Sequence, residues 1–381
     1  MSIRWDVMEE RFGPAGLTVG ESFGTSYVNG IRGWQFPAET LTAAEGRLLT
    51  MDLDFPGDRC ALNCVYCFAK SGEETGTYYR PDKGDYPLGL ADIRRVVTEA
   101  KDMGLRSIKI IGYREPFDNP GIYDFIEFCA QLGIHLVIFT AGYTLGEQTF
   151  GGSVSKTIDF LARRPVSLMV KMHTLDRETE DTIVRRKGYA QQRDRYLREL
   201  LEDGRFTADA CTRLGIENVI STLDADELCD MYEYFKLHRN VFVDIDPPIP
   251  VGRTGTLLEA ERSGCMSQSQ LKDLAIRIYQ LNEQHGIPFQ GFSPYFGGAP
   301  CGQLPVGVYV TLSGRILTCC GSDEELGNVK ADTLRQTFAR SPYRNLEGGY
   351  HSCPYREKKG MLSFAGEVER RFSQLECTGQ A

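Results

Sequence analysis

The sequence has no run of about 18 apolar residues, so it offers no membrane-spanning helix. Its opening, Met1-Ser-Ile-Arg-Trp-Asp-Val-Met-Glu-Glu, is charged and lacks the apolar core of a secretion signal. Internal repeats and low-complexity tracts are absent as well. Basic residues are in the minority: Lys and Arg number 43 against 52 Asp and Glu, a net charge of −9. That balance argues against a nucleic-acid substrate, which calls for a basic face. Twelve cysteines without an export signal point to a reducing cytoplasm, with thiols used for metal. A chain of 381 residues suffices for about two to three domains and a large core without disulfides.

Three of those cysteines stand together in Cys60-Ala-Leu-Asn-Cys64-Val-Tyr66-Cys67, a C-x3-C-x2-C spacing. Three thiolates on one short loop can hold three irons of a [4Fe–4S] cluster and leave the fourth iron open to another ligand. A zinc site would pair such a motif with a second ligand pair. None lies nearby, and the nearest downstream histidine is His135. A disulfide framework belongs in a small secreted domain. The loop follows a strand-like run, Leu48 to Phe55.

Residues 1–46 are Gly-rich and irregular, and after them short apolar runs alternate with amphipathic ones. Strands are expected at 48–55, 106–112, 134–140, 166–172, 216–222 and 240–246. Helices are expected at 90–103, 120–132, 153–164, 176–204 with a break near Gly188, and 224–237. Ile93, Val96, Val97, Ala100 and Met103 share one helix face, and Gly104 and Gly133 sit where helices should stop. The alternation predicts an α/β fold built of βα units on a parallel sheet. Six strands are too few for a closed eight-stranded barrel and fit a partial (βα)6 TIM-like barrel, whose chemistry sits at the C-terminal strand ends. A Pro/Gly exit at 247–255 and a helix at about 268–285 follow. Residues 306–318 read as a β-hairpin turning at Ser313-Gly314. The expected division is an extension at 1–46, the barrel at 47–250, a linker and helix at 251–295, and a small C-terminal hairpin and helix domain at 296–381.

Cys60, Cys64, Tyr66 and Cys67 resemble the signature of the radical S-adenosylmethionine (SAM) superfamily. The resemblance implies that the open iron binds the amino and carboxylate groups of SAM. An electron from the cluster then cleaves SAM, and the resulting 5′-deoxyadenosyl radical takes hydrogen from a substrate C–H bond. A one-electron reductant such as flavodoxin or ferredoxin is implied as partner. The second strand ends in Gly112-Tyr113-Arg114-Glu115-Pro116, where the family usually has Gly-Gly-Glu-Pro. Glu115 and Gly112 match that pattern, and Tyr113 and Arg114 depart from it. A carboxylate facing the methionine ammonium is a charge-assisted contact, while an ordinary strand-to-loop turn is the plainer alternative. Thr140, Lys171 and His173 end the next strands and are candidate contacts for SAM or substrate, although a lone histidine is more often structural. Gly252-Arg253 resembles a Gly-Arg found at this place in relatives with extra clusters, which implies a residue that closes the site or ties two domains together. Arg185-Arg186-Lys187 could bind a phosphate or carboxylate, and reads more simply as a solvated helix face.

A second group comprises Cys301, Gly314, Cys319, Cys320 and Cys353. It resembles the SPASM/twitch extension, which holds auxiliary iron–sulfur clusters, but lacks the later cysteine-rich run of a full SPASM domain. The resemblance implies one auxiliary [4Fe–4S] cluster on Cys301, Cys319 and Cys353, with Cys377, Cys320 or no residue as fourth ligand. A zinc ribbon or unused thiols is the alternative. Cys129 and Cys229 fall on helices as core residues, and Cys265 or Cys320 could donate a hydrogen atom. The expected activity is oxidation or epimerisation of a small polar metabolite of sugar, cyclitol or nucleoside type. Maturation of a ribosomally made peptide is the alternative, and a non-catalytic iron–sulfur sensor is the reading from another class.

Overall fold

The strand-rich and amphipathic segments fold where their periodicity places them. The structure, a computed structural model, describes residues 3–16, 19–23, 30–34, 36, 38–44, 46–57, 60–67, 87–112, 114–144, 152–219, 225–246, 268–287, 301–322, 324–344 and 353. Helices α1 (Ile3–Phe12), α2 (Val19–Phe23) and α3 (Ala38–Thr42) precede strand β1 (Thr50–Asp54). There follow α4 (Leu90–Asp102), β2 (Ser107–Gly112), α5 (Gly121–Gln131), β3 (His135–Thr140), α6 (Val154–Ala162) and β4 (Val166–Lys171). Next come α7 (Arg177–Val184), α8 (Tyr189–Asp203), β5 (Leu214–Val219), α9 (Ala225–Tyr232) and β6 (Phe242–Asp246). The chain then forms α10 (Gln268–Gln284), β7 (Gly307–Val310), β8 (Arg315–Leu317), β9 (Glu325–Asn328) and α11 (Leu334–Ala339).

All six expected barrel strands are present and pair in parallel, in the sheet order β6-β5-β4-β3-β2-β1-β7-β8-β9. The expected C-terminal hairpin lies beside β1 rather than beyond β6, and β7 pairs with β1 in parallel from Thr50 opposite Gly307. Strands β8 and β9 continue the sheet antiparallel. Strands β6 and β9 are its two ends, so among the described residues the barrel is open. The expected break near Gly188 separates α7 from α8, with Gly188 at φ 78°.

Alternation along each strand sorts the side chains. Leu53, Ile108, Ile110, Leu136, Leu168 and Ile216 join the large core shared with helix residues such as Ile93, Val97 and Phe125. Each such burial contributes about 1.5–3 kcal/mol, so this outer layer holds the barrel together. The other strand face is mixed. Val137, Phe139, Met169 and Phe242 form an apolar cluster, while Asp52, Lys109, Glu217 and Asp244 bring charge. Among the described residues, no helix is long and apolar enough to cross a membrane.

Part of the N-terminal extension closes the base of the barrel. Ile31 bridges Thr212 and packs with Trp34 against the apolar cluster, and Ser167 donates to the Arg32 carbonyl at 2.8 Å. These contacts lie at the strand starts, opposite the cysteine loop. Gly33 has φ +89°, and a Cβ there would stand 2.4 Å from Cδ2 of His135. His135 cannot swing away freely, because its Nε2 lies 2.9 Å from Ser167 Oγ. Gly33→Ala is therefore expected to cost about 2–4 kcal/mol in urea unfolding, combining backbone strain with overpacking. A loss below 0.5 kcal/mol, on the order of an ordinary surface change, would refute the plug.

Candidate active site

Loop 60–67 leaves β1 at the C-terminal mouth and is fixed by its backbone. Asn63 N–H donates to Val184 O at 3.0 Å and Val65 N–H to Ile183 O at 2.9 Å, so the end of α7 carries the loop. Ala61 N–H donates to Tyr143 Oη at 3.2 Å. Leu62, Cys64 and Tyr66 pack with Ala141, Tyr143 and Tyr189. Cys60, Cys64 and Cys67 are all free thiols. Burial pushes the Cys64 thiol up to about 11; Lys171 opposes the rise, and Cys67 and Cys60 add to it. Three thiols on one short loop, two of them close enough to oppose the ionisation of Cys64, form a donor set that suits a cationic iron cluster.

Across the mouth, Glu115 is 3% exposed and ties the ends of β2 and β3. Its carboxylate accepts from Thr140 Oγ1 at 2.6 Å, Ala141 N at 2.7 Å and Phe117 N at 3.4 Å. Burial pushes Glu115 up to about 7 against the lowering effect of these bonds. Its proton is held in the fold above pH 4.5, where the unfolded carboxyl has lost it. The corresponding stability is full below pH 4.5 and is lost as pH rises through about 7. Asp54, also raised to about 7 by burial, shares that window. Glu115→Gln is thus expected to remove part of the decline in stability between pH 4.5 and 7, read from unfolding midpoints. An unchanged slope would contradict the assignment.

Lys171 Nζ lies 3.3 Å from Glu217 Oε2 and 5.4 Å from the ring of Tyr66. Burial works against its charge, but Glu217, Cys64 and Cys67 outweigh it and raise its pKa. Register places Lys171 beside Glu217 and Glu217 beside Asp244, one charged row across β4, β5 and β6. Asp244 is raised well above the usual carboxylate range by burial, then by Asp246 and Glu217.

His173 is fully buried, and its ring centroid lies 4.6 Å from that of Tyr66. Its Nδ1 is 2.9 Å from Glu180 Oε1, while Glu180 Oε2 accepts the backbone N–H groups of His173 and Thr174 at 2.9 Å each. His173 therefore positions the cluster loop through α7. Asn218 Nδ2 donates to the carbonyls of Met172 and His173. Asn218 Oδ1 and His173 Nε2 are buried without a hydrogen-bond partner among the described residues. Sequence reasoning missed Glu180, Asn218, Glu217 and Asp244; alternation along the strands could have placed the last two inside.

The second thiol group also assembles. Cys301, Cys319 and Cys353 pack with Leu304 and Tyr343. Cys319 is raised well above the ordinary thiol range by its hydrogen bond with Cys320, then by burial and by Cys301 and Cys353. Cys320 packs instead with Tyr309, Leu317 and Ile111. Gln303, two residues after Cys301, donates to Asp52 Oδ2 at 2.7 Å and accepts from Lys109 Nζ, linking this group to the barrel interior. Cys129 and Cys229 are core residues, as expected. Tyr113, Arg253, Cys265 and Cys377 lie outside the described residues. The run Arg185-Arg186-Lys187 lies between α7 and α8 rather than on a helix face; Arg185 and Lys187 are exposed, and Arg186 is half-buried with its guanidinium 4.4 Å from the centre of the Tyr143 ring.

Three comparisons bear on the family. A family model described as Radical SAM superfamily matches residues 55–222. A search of curated proteins returns no match. Among solved structures, Streptococcus suis SuiB bound to S-adenosylmethionine is similar at 16% identity and a TM-score of 0.56, covering 84% of this chain and 76% of that one. SuiB bound to its precursor peptide SuiA gives 15% identity and a TM-score of 0.55 over 80% of this chain and 68% of that one. At such identity these two show a shared fold. BtrN in complex with AdoMet and 2-DOIA gives a TM-score of 0.36 at 11% identity, covering 84% of this chain and 89% of that one, and carries no argument. With the cysteine loop at the barrel mouth and the match beginning at residue 55, residues 55–222 carry a radical SAM domain.

Proposed function

We propose that this chain removes a hydrogen atom from a C–H bond of a small polar metabolite of sugar, cyclitol or nucleoside type, and oxidises or epimerises it with the help of one auxiliary iron–sulfur cluster. The observation that carries this reading is the three-thiol loop seated over a barrel interior whose β4–β6 wall is charged. Cys60, Cys64 and Cys67 would hold the [4Fe–4S] cluster of the family. Together with SAM, that cluster supplies a radical able to take hydrogen from carbon.

The chain's own residues bind, orient and move protons. Glu115 offers a carboxylate to the SAM ammonium, and an ammonium partner there favours its ionised form. Gly112, Tyr113 and Arg114 precede Glu115 in the sequence and are candidate contacts for SAM. Asn218 Oδ1 and His173 Nε2 are poised for polar groups of the bound molecule. Tyr66 covers His173, and Thr140 fixes Glu115. Lys171 and Glu217 present paired charge to substrate hydroxyls. Asp244, whose proton is held by burial and by Asp246 and Glu217, is placed on the same charged wall and can hydrogen-bond a substrate hydroxyl. Cys301, Cys319 and Cys353 would hold the auxiliary cluster, with Cys377, Cys320 or no residue of the chain as its fourth ligand.

A peptide substrate is the second reading, favoured by the fold shared with SuiB, one of whose structures holds its precursor peptide. The N-terminal residues Ile31 and Trp34 are engaged in the barrel base, which favours the small molecule. Anaerobic reconstitution followed by dithionite and SAM should yield 5′-deoxyadenosine. None forming would sink the enzyme reading in favour of a sensor. In the same preparation, Cys319→Ala should lower iron by about four per chain and retain SAM cleavage, because its thiol packs in a cluster of residues separate from that of loop 60–67. Unchanged iron would remove the auxiliary cluster.

A further inference from the structure

The geometry points to a divalent metal site on the outer wall of the barrel, built from Glu233, His238 and His285. The donor atoms of these three residues lie within 4.8 Å of one another. Nε2 of His285 is 3.0 Å from Glu233 Oε1. The rings of His238 and His285 meet edge to face with centroids 5.1 Å apart. Two donors on one tetrahedral zinc ion stand about 3.3–3.5 Å apart, given metal–ligand bonds of about 2.0–2.2 Å. Small side-chain rotations therefore bring this set onto a single ion.

The backbone is shaped to make the set. In an α-helix, residues five apart point about 140° away from each other. Here residues Glu233–Leu237 form a π-helical turn following α9. Its i to i+5 repeat brings positions five apart back toward one face, which is how Glu233 and His238 come to converge. His285 arrives from the end of α10, with its N–H held by the carbonyls of Leu281 and Asn282. The two elements are locked one residue before Glu233. Tyr232 Oη and Asn282 Nδ2, both buried, are 2.9 Å apart, and Asn282 also donates to Ile278 O. Trp5 covers the far side of His238, ring centroids 5.3 Å apart. The donors are thus held before any ion arrives, which limits the entropy cost of binding.

Two imidazoles and a carboxylate select a borderline ion such as Zn²⁺ over the hard Mg²⁺ and Ca²⁺, and contain none of the thiolates that hold iron–sulfur clusters. Water completes the coordination. The ion would pin α10, the helix that follows the barrel exit, to the π turn behind β6. It is a structural clip separate from the radical chemistry.

The test uses the full chain with its clusters reconstituted, so that loop thiols cannot scavenge the probe. Zn²⁺ is added, excess is removed, and zinc and iron per chain are measured by elemental mass spectrometry. We expect about one zinc per chain, and a higher thermal midpoint with Zn²⁺ than with chelator. His238→Ala and His285→Ala should each lose that zinc with iron unchanged. Glu233→Gln, which keeps the shape and the hydrogen bond to His285, should weaken binding roughly tenfold or more. A parent chain that retains no zinc, or a His238→Ala chain that retains as much as the parent, overturns the site. Unchanged iron in each variant shows that the fold has survived. SAM cleavage plays no part in the readout, so failure of this site leaves the proposed function standing.

Discussion

Cys64→Ala is expected to abolish formation of 5′-deoxyadenosine and to remove about four irons per chain. Cys64 is the buried member of the triad, while Cys60 and Cys67 are partly exposed. Its thiol sits in the apolar cluster with Leu62, Tyr66, Tyr143 and Tyr189. The loop itself should stay in place. Asn63 and Val65 hold it to α7 through backbone bonds, and Ala61 holds it to Tyr143, so none of these anchors depends on the thiol. The loss is then one of ligation alone, and the C-terminal thiols keep their own iron. The check is chromatography of the dithionite and SAM reaction beside an iron assay. Deoxyadenosine persisting at more than about 1% of the parent rate, a defect under 2.7 kcal/mol, would place the reacting cluster elsewhere.

The local elements and the triad were legible because each rests on a short-range pattern. The runs of Ile108 to Ile111 and Leu136 to Phe139 can only be buried strands between helices. Gly104 and Gly133 adopt the positive φ, +109° and +64°, that ends the helix before each. The position of β7 was not legible. It pairs with β1 across more than 250 residues of chain, Thr50 to Gly307, and nothing within residues 306–318 records that partner. Gly307 fits that crowded place, since a Cβ there would stand 2.9 Å from the Gln303 carbonyl oxygen and 3.0 Å from Thr50 Cγ2, but only the folded chain shows it. Residues 30–34 were unreadable for the same reason, since Ile31 and Trp34 find their apolar partners only once the barrel has formed. Arg186 and Glu180 lie on a polar-looking helical stretch, and charge in such a stretch reads as solvated. The fold sets Glu180 against the backbone of His173 and Thr174, and Arg186 over the ring of Tyr143, whose hydroxyl accepts from Ala61 of the cysteine loop.

Glu180→Ala is expected to destabilise the chain by about 3–5 kcal/mol, the cost of breaking a buried ionic network by removing one partner. Glu180 and His173 are both fully buried, and Arg193 is 1% exposed with its Nη1 3.5 Å from Glu180 Oε1. Burial alone would raise the Glu180 pKa, but His173 and Arg193 overcome it and hold the carboxyl at about 2. Its contribution to stability is therefore present above pH 4.5, the usual value, and is lost as pH falls toward 2. Without the carboxylate, the N–H groups of His173 and Thr174 lose their acceptor and Arg193 keeps only Asp194 and the Lys171 carbonyl. The functional consequence follows from α7. Glu180 anchors that helix to the end of β4, and the last residues of the helix, Ile183 and Val184, accept the backbone of the cysteine loop. Weakening the anchor should loosen the loop and lower cluster loading, although no thiol has been touched. Glu180→Gln keeps the shape and some hydrogen bonds, and should cost roughly half as much. Urea unfolding at pH 7 checks the stability, and iron content per chain checks the coupling. A Glu180→Ala chain as stable as the parent, with full iron, would mean that the loop is held by its own packing and that the His173–Glu180 pair merely fills space.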